Sequence, residues 1–136
     1  MPLTQDGTIA MASALLGDGS ITLFDNTNAA IGVGDDNTAF AITQTQLQAE
    51  ANATSATRKG MNSGYPSRNP DGDGSGNLTR YQATFGSAEG NHAWAEWGIF
   101  NNAASGGGTM LLRVVEDIGT KNGGTWVYEV DVEIQA

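Results

Sequence analysis

The chain has 136 residues, of which 15 are acidic and 6 basic, so its formal net charge at pH 7 is −9. This acidity argues against binding to nucleic-acid phosphates or to anionic membrane surfaces, because both need a basic face. The absence of cysteine and the single histidine exclude disulfides, thiolate metal sites and multi-histidine metal centres. No apolar run has the length of a membrane span and no signal peptide is evident, so we expect a soluble, untargeted protein.

The composition predicts one domain, residues 1–136, with a thin core. Glycine occurs 19 times and hydrophobic residues make up 39% of the chain, so folding must overcome a large chain entropy with little apolar surface. We expect an oligomer to bury additional surface. These numbers favour a structural or binding module without cofactors, and they disfavour an enzyme.

The first segment predicts a weak helix that ends at glycine. Ile9, Ala12, Ser13 and Leu16 fall on one face at helical spacing, and Gly17 ends the pattern. We assign residues 1–20 to an N-terminal arm that contains this helix.

Two further elements are predicted before residue 60. Residues 21–24 are expected to form a short strand, paired in a hairpin with residues 29–33. Thr43 and Gln46 form a capping box, which predicts a second helix over about residues 43–59. Residues 60–77 are rich in glycine, proline and asparagine and are predicted to be a loop insertion.

From residue 78 onward the pattern changes to strands at residues 78–85, 94–100, 110–116 and 126–134. In the last strand, apolar residues alternate with Glu129, Asp131 and Glu133, which predicts one buried face and one acidic, solvated face. Both faces of residues 110–116 are apolar, which favours a central strand. The predicted fold is mainly β: an antiparallel, jelly-roll-like β-sandwich over residues 21–136, its last four strands in a meander, with one or two short N-terminal helices.

One loop has the oxygen spacing of an EF-hand-type calcium loop, with glycine at the sixth position. The candidate ligands at positions 1, 3, 5 and 7 are Asp71, Asp73, Ser75 and Asn77. Position 12 is Gln82, which cannot supply a bidentate carboxylate. Weak calcium binding and a plain Asp-Gly turn both remain open.

The aromatic residues predict either a core or a partner surface. Strict alternation places Trp97 and Trp126 in the core, so Trp94 and Phe100 point to the other face. Exposed aromatic residues typically mark an interface with a partner. Trp94 and Phe100 are therefore the candidate anchors, with packing under another element as the alternative.

No catalytic constellation is predicted. His92 lies alone in a polar turn, and no nucleophile elbow is present. The acids Asp35 and Asp36 are adjacent in sequence, as are Glu116 and Asp117, and neighbours on a strand point to opposite faces.

Three stretches of the C-terminal half resemble a family of tailed-bacteriophage virion proteins. They are Glu96-Trp97-Gly98-Ile99-Phe100-Asn101, Gly107-Gly108-Thr109-Met110-Leu111-Leu112-Arg113 and Gly119-Thr120-Lys121. Earlier matches lie at residues 31–35, 45–47 and 58–59, so the resemblance covers about residues 29–134. The hairpin of the first two stretches is also similar to the attachment domains of phage tail-fibre and collar proteins.

The resemblance implies a β-rich virion structural protein with no catalytic residues. Since the chain lacks the shaft and tip of a fibre, we expect a capsid decoration (cement) protein, a homotrimer bound to the major capsid protein on the particle exterior and made in the bacterial cytoplasm. The alternatives are an adaptor in the tail, neck or baseplate that anchors a fibre, and a calcium-assisted carbohydrate-binding module that uses Trp94.

Overall fold

The structure is a computed structural model that describes residues 2–50, 57–72 and 76–135. The described residues form one helix and seven strands. In chain order these are α1 (Gln5–Leu16), β1 (Ala30–Gly34), β2 (Arg58–Gly60), β3 (Ser67–Arg68), β4 (Leu78–Phe85), β5 (Ala93–Phe100), β6 (Met110–Thr120) and β7 (Trp126–Glu133).

The strands form two antiparallel sheets, which confirms the predicted mainly β, sandwich-like fold. Sheet A has the order β2-β1-β5-β6, and sheet B has the order β3-β4-β7. The predicted meander of the last four strands is wrong, because β4 pairs with β7 and β5 pairs with β6. Placing β4 and β5 in different sheets lets the apolar faces of both strands meet across one core.

The core lies between the two sheets. Sheet B contributes the inward residues of two alternating strands, which confirms the patterns predicted for β4 and β7. The buried residues of this core are Ala29, Ile31, Val33, Tyr81, Ala83, Phe85, Trp94, Trp97, Ile99, Leu111, Leu112, Val130 and Val132. Burial raises the pKa of the Tyr81 phenol to about 12.

β6 lies at the edge of sheet A, so its predicted central position is wrong. Its first four residues are nevertheless buried, because the N-terminal segment covers them. The backbone N–H of Thr4 donates to the carbonyl of Leu111 at 3.1 Å, and Leu3 forms a bridge with Leu112. A strand that is apolar on both faces can therefore be an edge strand beneath another element.

α1 confirms the predicted N-terminal helix. The Thr4 side chain accepts from the Gly7 N–H at 2.9 Å, and Gly17 ends the helix with φ 61°, a left-handed conformation that glycine adopts without strain. Gly7 faces β6 so closely that a Cβ there would overlap the carbonyl of Leu111. The helix thus packs through small residues.

Two predictions for residues 21–59 are wrong. Residues 21–24 form no strand, and β1 pairs with β2 and β5 instead. Residues 43–49 form bends and turns where a helix was predicted, while residues 51–56 of that prediction lie outside the described residues. All five residues of β1 are buried, and the strand lies inside sheet A between β2 and β5. Gly32 accommodates this position, since a Cβ there would lie 2.8 Å from the Phe100 ring.

Candidate partner-binding surface

Trp94 is a core residue, so its predicted role as an exposed anchor is wrong. Its side chain is fully buried, with edge-to-face contacts to Phe85 and Trp126 at 4.9 Å and to Tyr128 at 5.5 Å between ring centroids. The indole N–H donates to the carbonyl of Gly90 at 2.8 Å. This aromatic cluster closes one end of the sandwich.

A β-bulge explains why alternation placed Trp94 on the wrong face. Trp94 pairs with Gly119 but Glu96 pairs with Val115, so one residue of β5 lies opposite three residues of β6 and the regular alternation is interrupted at this point. Trp94 and Trp97 consequently both face sheet B. The sequence carries no strong signal for this shift.

Phe100 does point away from the sandwich core, as predicted, but it is fully buried and is not an exposed anchor. It packs with Leu47 and Met110 in a second apolar cluster. The guanidinium of Arg58 stacks over its ring at 3.4 Å from the centroid. The outer face of sheet A is therefore covered by the chain's own segment.

A buried ion pair fastens residues 36–49 onto the outer face of sheet A. The side chains of Glu96 on β5 and Arg113 on β6 are fully buried, and the Arg113 Nε lies 2.5 Å from the Glu96 Oε2. The carboxylate of Glu96 accepts from the backbone N–H groups of Gln48 at 3.0 Å and Ala49 at 2.8 Å. Only Leu47 and Ala49 of this irregular segment are buried, and side chains from the sheet bond the backbone groups that the segment turns toward it.

Arg113 holds the earlier half of the same segment. Its guanidinium donates to the carbonyl of Thr38 at 2.8 Å, to the Gln44 Oε1 at 3.1 Å and to the carbonyl of Asp36 at 3.4 Å. All these groups are saturated by the fold, which leaves the Glu96 carboxylate no free oxygen for acid–base work. This network was not predicted, because its two ends lie far apart in sequence.

A second buried ion pair, between Arg58 and Glu50, lies beside the turn that joins β5 to β6. The Arg58 Nε lies 2.5 Å from the Glu50 Oε1, and each of the two side chains is 1% exposed. Arg58 also donates to the carbonyls of Asn102 at 2.9 Å and Gly107 at 2.7 Å. The β5–β6 turn is thereby tied to β2.

The candidate calcium ligands divide between described and undescribed residues. Asp73 and Ser75 lie outside the described residues. The two carboxylate oxygens of Asp71 accept from Arg80 at 3.0 and 3.2 Å, and the amide of Asn77 donates to the carbonyl of Ile134 at 3.0 Å. Residues 2–50, 57–72 and 76–135 contain no group of three or more His, Cys, Asp or Glu that could hold a metal ion. Asp71 therefore serves an ion pair.

The helix α1 carries an exposed apolar stripe, defined as Ile9, Ala12, Leu15 and Leu16. Leu15 is 88% exposed, Leu16 79% and Ile9 58%. The 3.6-residue period groups Ile9, Ala12, Ser13 and Leu16 on one face; Ser13 is half-buried, and the other three are exposed to solvent. An apolar helix face ordinarily packs on the core. Here the close approach at Gly7 places the small-residue face inward instead.

The surface beside this stripe is also apolar. A groove of about 220 Å3 lies between α1, residues 21–24 and sheet B, and Met11, Leu23 and Tyr81 contribute to its lining. Leu23 is 53% exposed. Asp6 is the single charged residue within α1, so this uncharged surface differs from the acidic chain as a whole. Contiguous exposed apolar surface of this kind typically marks an interface.

No family model, curated protein or solved structure matches the chain. Within the parts of the chain that the structure describes, no helix is long and apolar enough to cross a membrane.

Proposed function

We propose that this protein is a non-enzymatic structural protein of a tailed-phage virion that decorates the head and stabilises the assembled shell. Support comes from the sequence resemblance at residues 96–101 and 107–113, together with a β-fold whose buried ion pairs, Glu96 with Arg113 and Glu50 with Arg58, form within the chain. A protein that binds only the assembled shell stabilises it by mass action. Its partners are the major capsid protein and, in a trimer, further copies of itself on the particle exterior.

The observation that carries this proposal is the exposed apolar stripe of α1. Residues of the resembling hairpin, such as Glu96, Phe100 and Arg113, are buried and build the fold. The contact with the shell is therefore assigned to the stripe, in place of Trp94 and Phe100. Burying each large side chain of the stripe contributes about 1.5–3 kcal/mol, and several copies acting together multiply that affinity.

The number of copies per particle tests the location in the virion. Quantitative mass spectrometry of purified particles is expected to find on the order of hundreds of copies, as repeated sites on a symmetric shell require. A dozen copies or fewer contradict the head location and favour the adaptor that anchors a tail fibre.

A double variant tests the binding surface. Ile9→Ser with Leu16→Ser is expected to abolish attachment to shells that lack the protein, while its melting temperature stays close to that of the parent chain. Val115→Ser is the matched control, because Val115 is also an exposed apolar residue, at 38%, but lies on β6. Attachment that survives the double variant refutes the assignment of the stripe.

The calcium-assisted module is disfavoured by the engagement of Asp71 with Arg80. Calorimetric titration of the protein with calcium chloride is expected to show no saturable heat. A saturable heat that Asp71→Asn or Asp73→Ala removes would support the calcium-assisted module instead.

A further inference from the structure

The free edge of β7 is a second surface, distinct from the α1 stripe. We propose that this edge binds an extended segment of another protein in which basic and apolar residues alternate, so that the segment adds a strand to sheet B. The proposal rests on the geometry of β6 and β7 and does not depend on the virion role.

The backbone of β7 offers hydrogen-bonding groups along its open side. Among the described residues, β7 is paired with β4 alone. The N–H of Ile134 donates to the carbonyl of Asn77 at 3.0 Å, which makes residues 77 and 134 a hydrogen-bonded pair. In an antiparallel ladder every second residue is so paired. The backbone groups of Val127, Glu129, Asp131 and Glu133 therefore point away from β4, toward the edge.

The side chains of these same four residues define the outer face at this edge. All four are exposed, and three of them are acidic. Arg80 is the basic residue that contacts this row, through Asp131 at 2.7 Å and Glu129 at 3.4 Å. The carboxylates outnumber it, so a docking strand meets an excess of negative charge. Opposite charges directly across a ladder are favourable, which selects lysine or arginine at the outward positions of the partner.

The inner side of the edge selects apolar residues. A groove of about 400 Å3 lies between β6 and β7; Trp97, Leu112, Val114 and Val132 form its apolar part, and Pro2, Asp131, Glu133 and Gln135 complete its lining. A strand paired with β7 alternates its side chains between the two faces of sheet B. Its inward side chains would enter this groove, where apolar groups are stabilised by contact with the rim of the core.

A second copy of this chain does not fit the edge. Two β7 strands that paired antiparallel would place acidic side chains opposite acidic side chains, which is unfavourable. The bases of the chain are engaged within its own fold. Their contacts are Arg58 with Glu50, Lys59 with Glu89, Arg80 with Asp131, Arg113 with Glu96, Arg68 with the Gly76 carbonyl and Lys121 with the Gly86 carbonyl. The charge pattern thus points to a different protein.

The probe is a peptide of alternating lysine and valine, matched in length to β7, tested against the whole chain. There are two control peptides. The first has the same composition with the lysines and valines in two separate blocks, and the second alternates glutamate and valine. Hydrogen exchange is expected to show that the alternating basic peptide protects the amides of Val127, Glu129, Asp131 and Glu133. Equal affinity for the block peptide would mean attraction by charge alone and would overturn the proposal.

Two substitutions at one position separate backbone from charge. Glu129→Pro removes one N–H at the edge and leaves the hydrogen bonds to β4, because proline is tolerated on edge strands. It is expected to lower the affinity for the alternating basic peptide on the order of tenfold. Glu129→Gln keeps the N–H and is expected to weaken it roughly two- to threefold. If both variants weaken binding equally, strand addition is refuted.

The protection pattern in the parent chain decides the question even if Glu129→Pro does not fold. Protection by the peptide that is confined to residues outside β7 also overturns the proposal. So does self-association: a dimer of the free protein, detected by sedimentation, in which hydrogen exchange finds the same four amides protected.

Discussion

Replacing Arg113 by methionine should reveal how strongly the buried ion pair holds the fold together. The substitution keeps the length of the aliphatic stem and removes the guanidinium. Glu96 then stays in a site with no exposed surface, with two backbone N–H groups as its remaining partners. Asp36, Thr38 and Gln44 lose their shared donor at the same time.

The expected cost of Arg113→Met follows from the burial of both partners. Removal of one member of a fully buried pair leaves an uncompensated charge, which costs about 3–5 kcal/mol. Domains are typically stable by about 5–15 kcal/mol, so a large share of the stability is lost. The melting temperature should fall by roughly 10–20 °C.

Urea denaturation followed by circular dichroism measures this loss, in a double-mutant cycle with Glu96→Leu. The double variant should cost less than the sum of the two single variants, by about 1–3 kcal/mol, because it leaves no lone charge. Arg80→Met is the matched control, since Arg80 makes its ion pairs on the solvated face of sheet B with Asp71 and Asp131. Such exposed pairs contribute little, so its midpoint should stay near that of the parent.

The reasoning is refuted if Arg113→Met and Arg80→Met shift the urea midpoint equally. Strict additivity of the two single variants in the cycle would also refute it, because additivity means that Glu96 and Arg113 do not stabilise one another.

Three further predictions concern other parts of the fold. Gly7→Ala should lower the free energy of unfolding by about 1–3 kcal/mol, measured by thermal melting, because its Cβ would overlap the Leu111 backbone; an unchanged melting temperature contradicts the close packing of α1. Trp94→Ala should cost about 3–5 kcal/mol in the same assay, whereas an exposed anchor would cost almost nothing. The hydrogen bond from Lys59 lowers the pKa of Glu89 below its usual 4.5, so the ionised carboxylate adds stability above pH 4.5, and this contribution is lost as the pH falls further. Glu89→Gln should therefore make the urea midpoint fall less steeply between pH 4.5 and lower pH, and an unchanged pH dependence contradicts this.

The strands of sheet B were predictable because each has one buried and one solvated face. In β7 the period of two survives over its whole length, from Trp126 to Val132, and the acids lie outward as expected. The helix α1 was predictable for a similar reason, since Thr4 and Gly17 mark its ends. Local patterns of this kind depend only on neighbours in the chain.

The wrong predictions all depend on contacts that are distant in sequence. The face of α1 that packs is decided by the approach of Gly7 to Leu111, which no periodicity encodes. Residues 43–49 were predicted as the start of a helix, yet Glu96 and Arg113 hold them in an irregular path. The sequence period thus identified the apolar face of α1, but only the structure shows that this face is exposed.

The pairing of β4 with β7 has a consequence for how the chain is made. Leu78 lies opposite Glu133, and the entire β5–β6 hairpin falls between them in sequence. Loop closure over so long a span is slow compared with closure of a hairpin. On the ribosome, one side of β4 must therefore stay unpaired until β7 has left the exit tunnel, so sheet B is completed only after the whole β5–β6 hairpin has emerged.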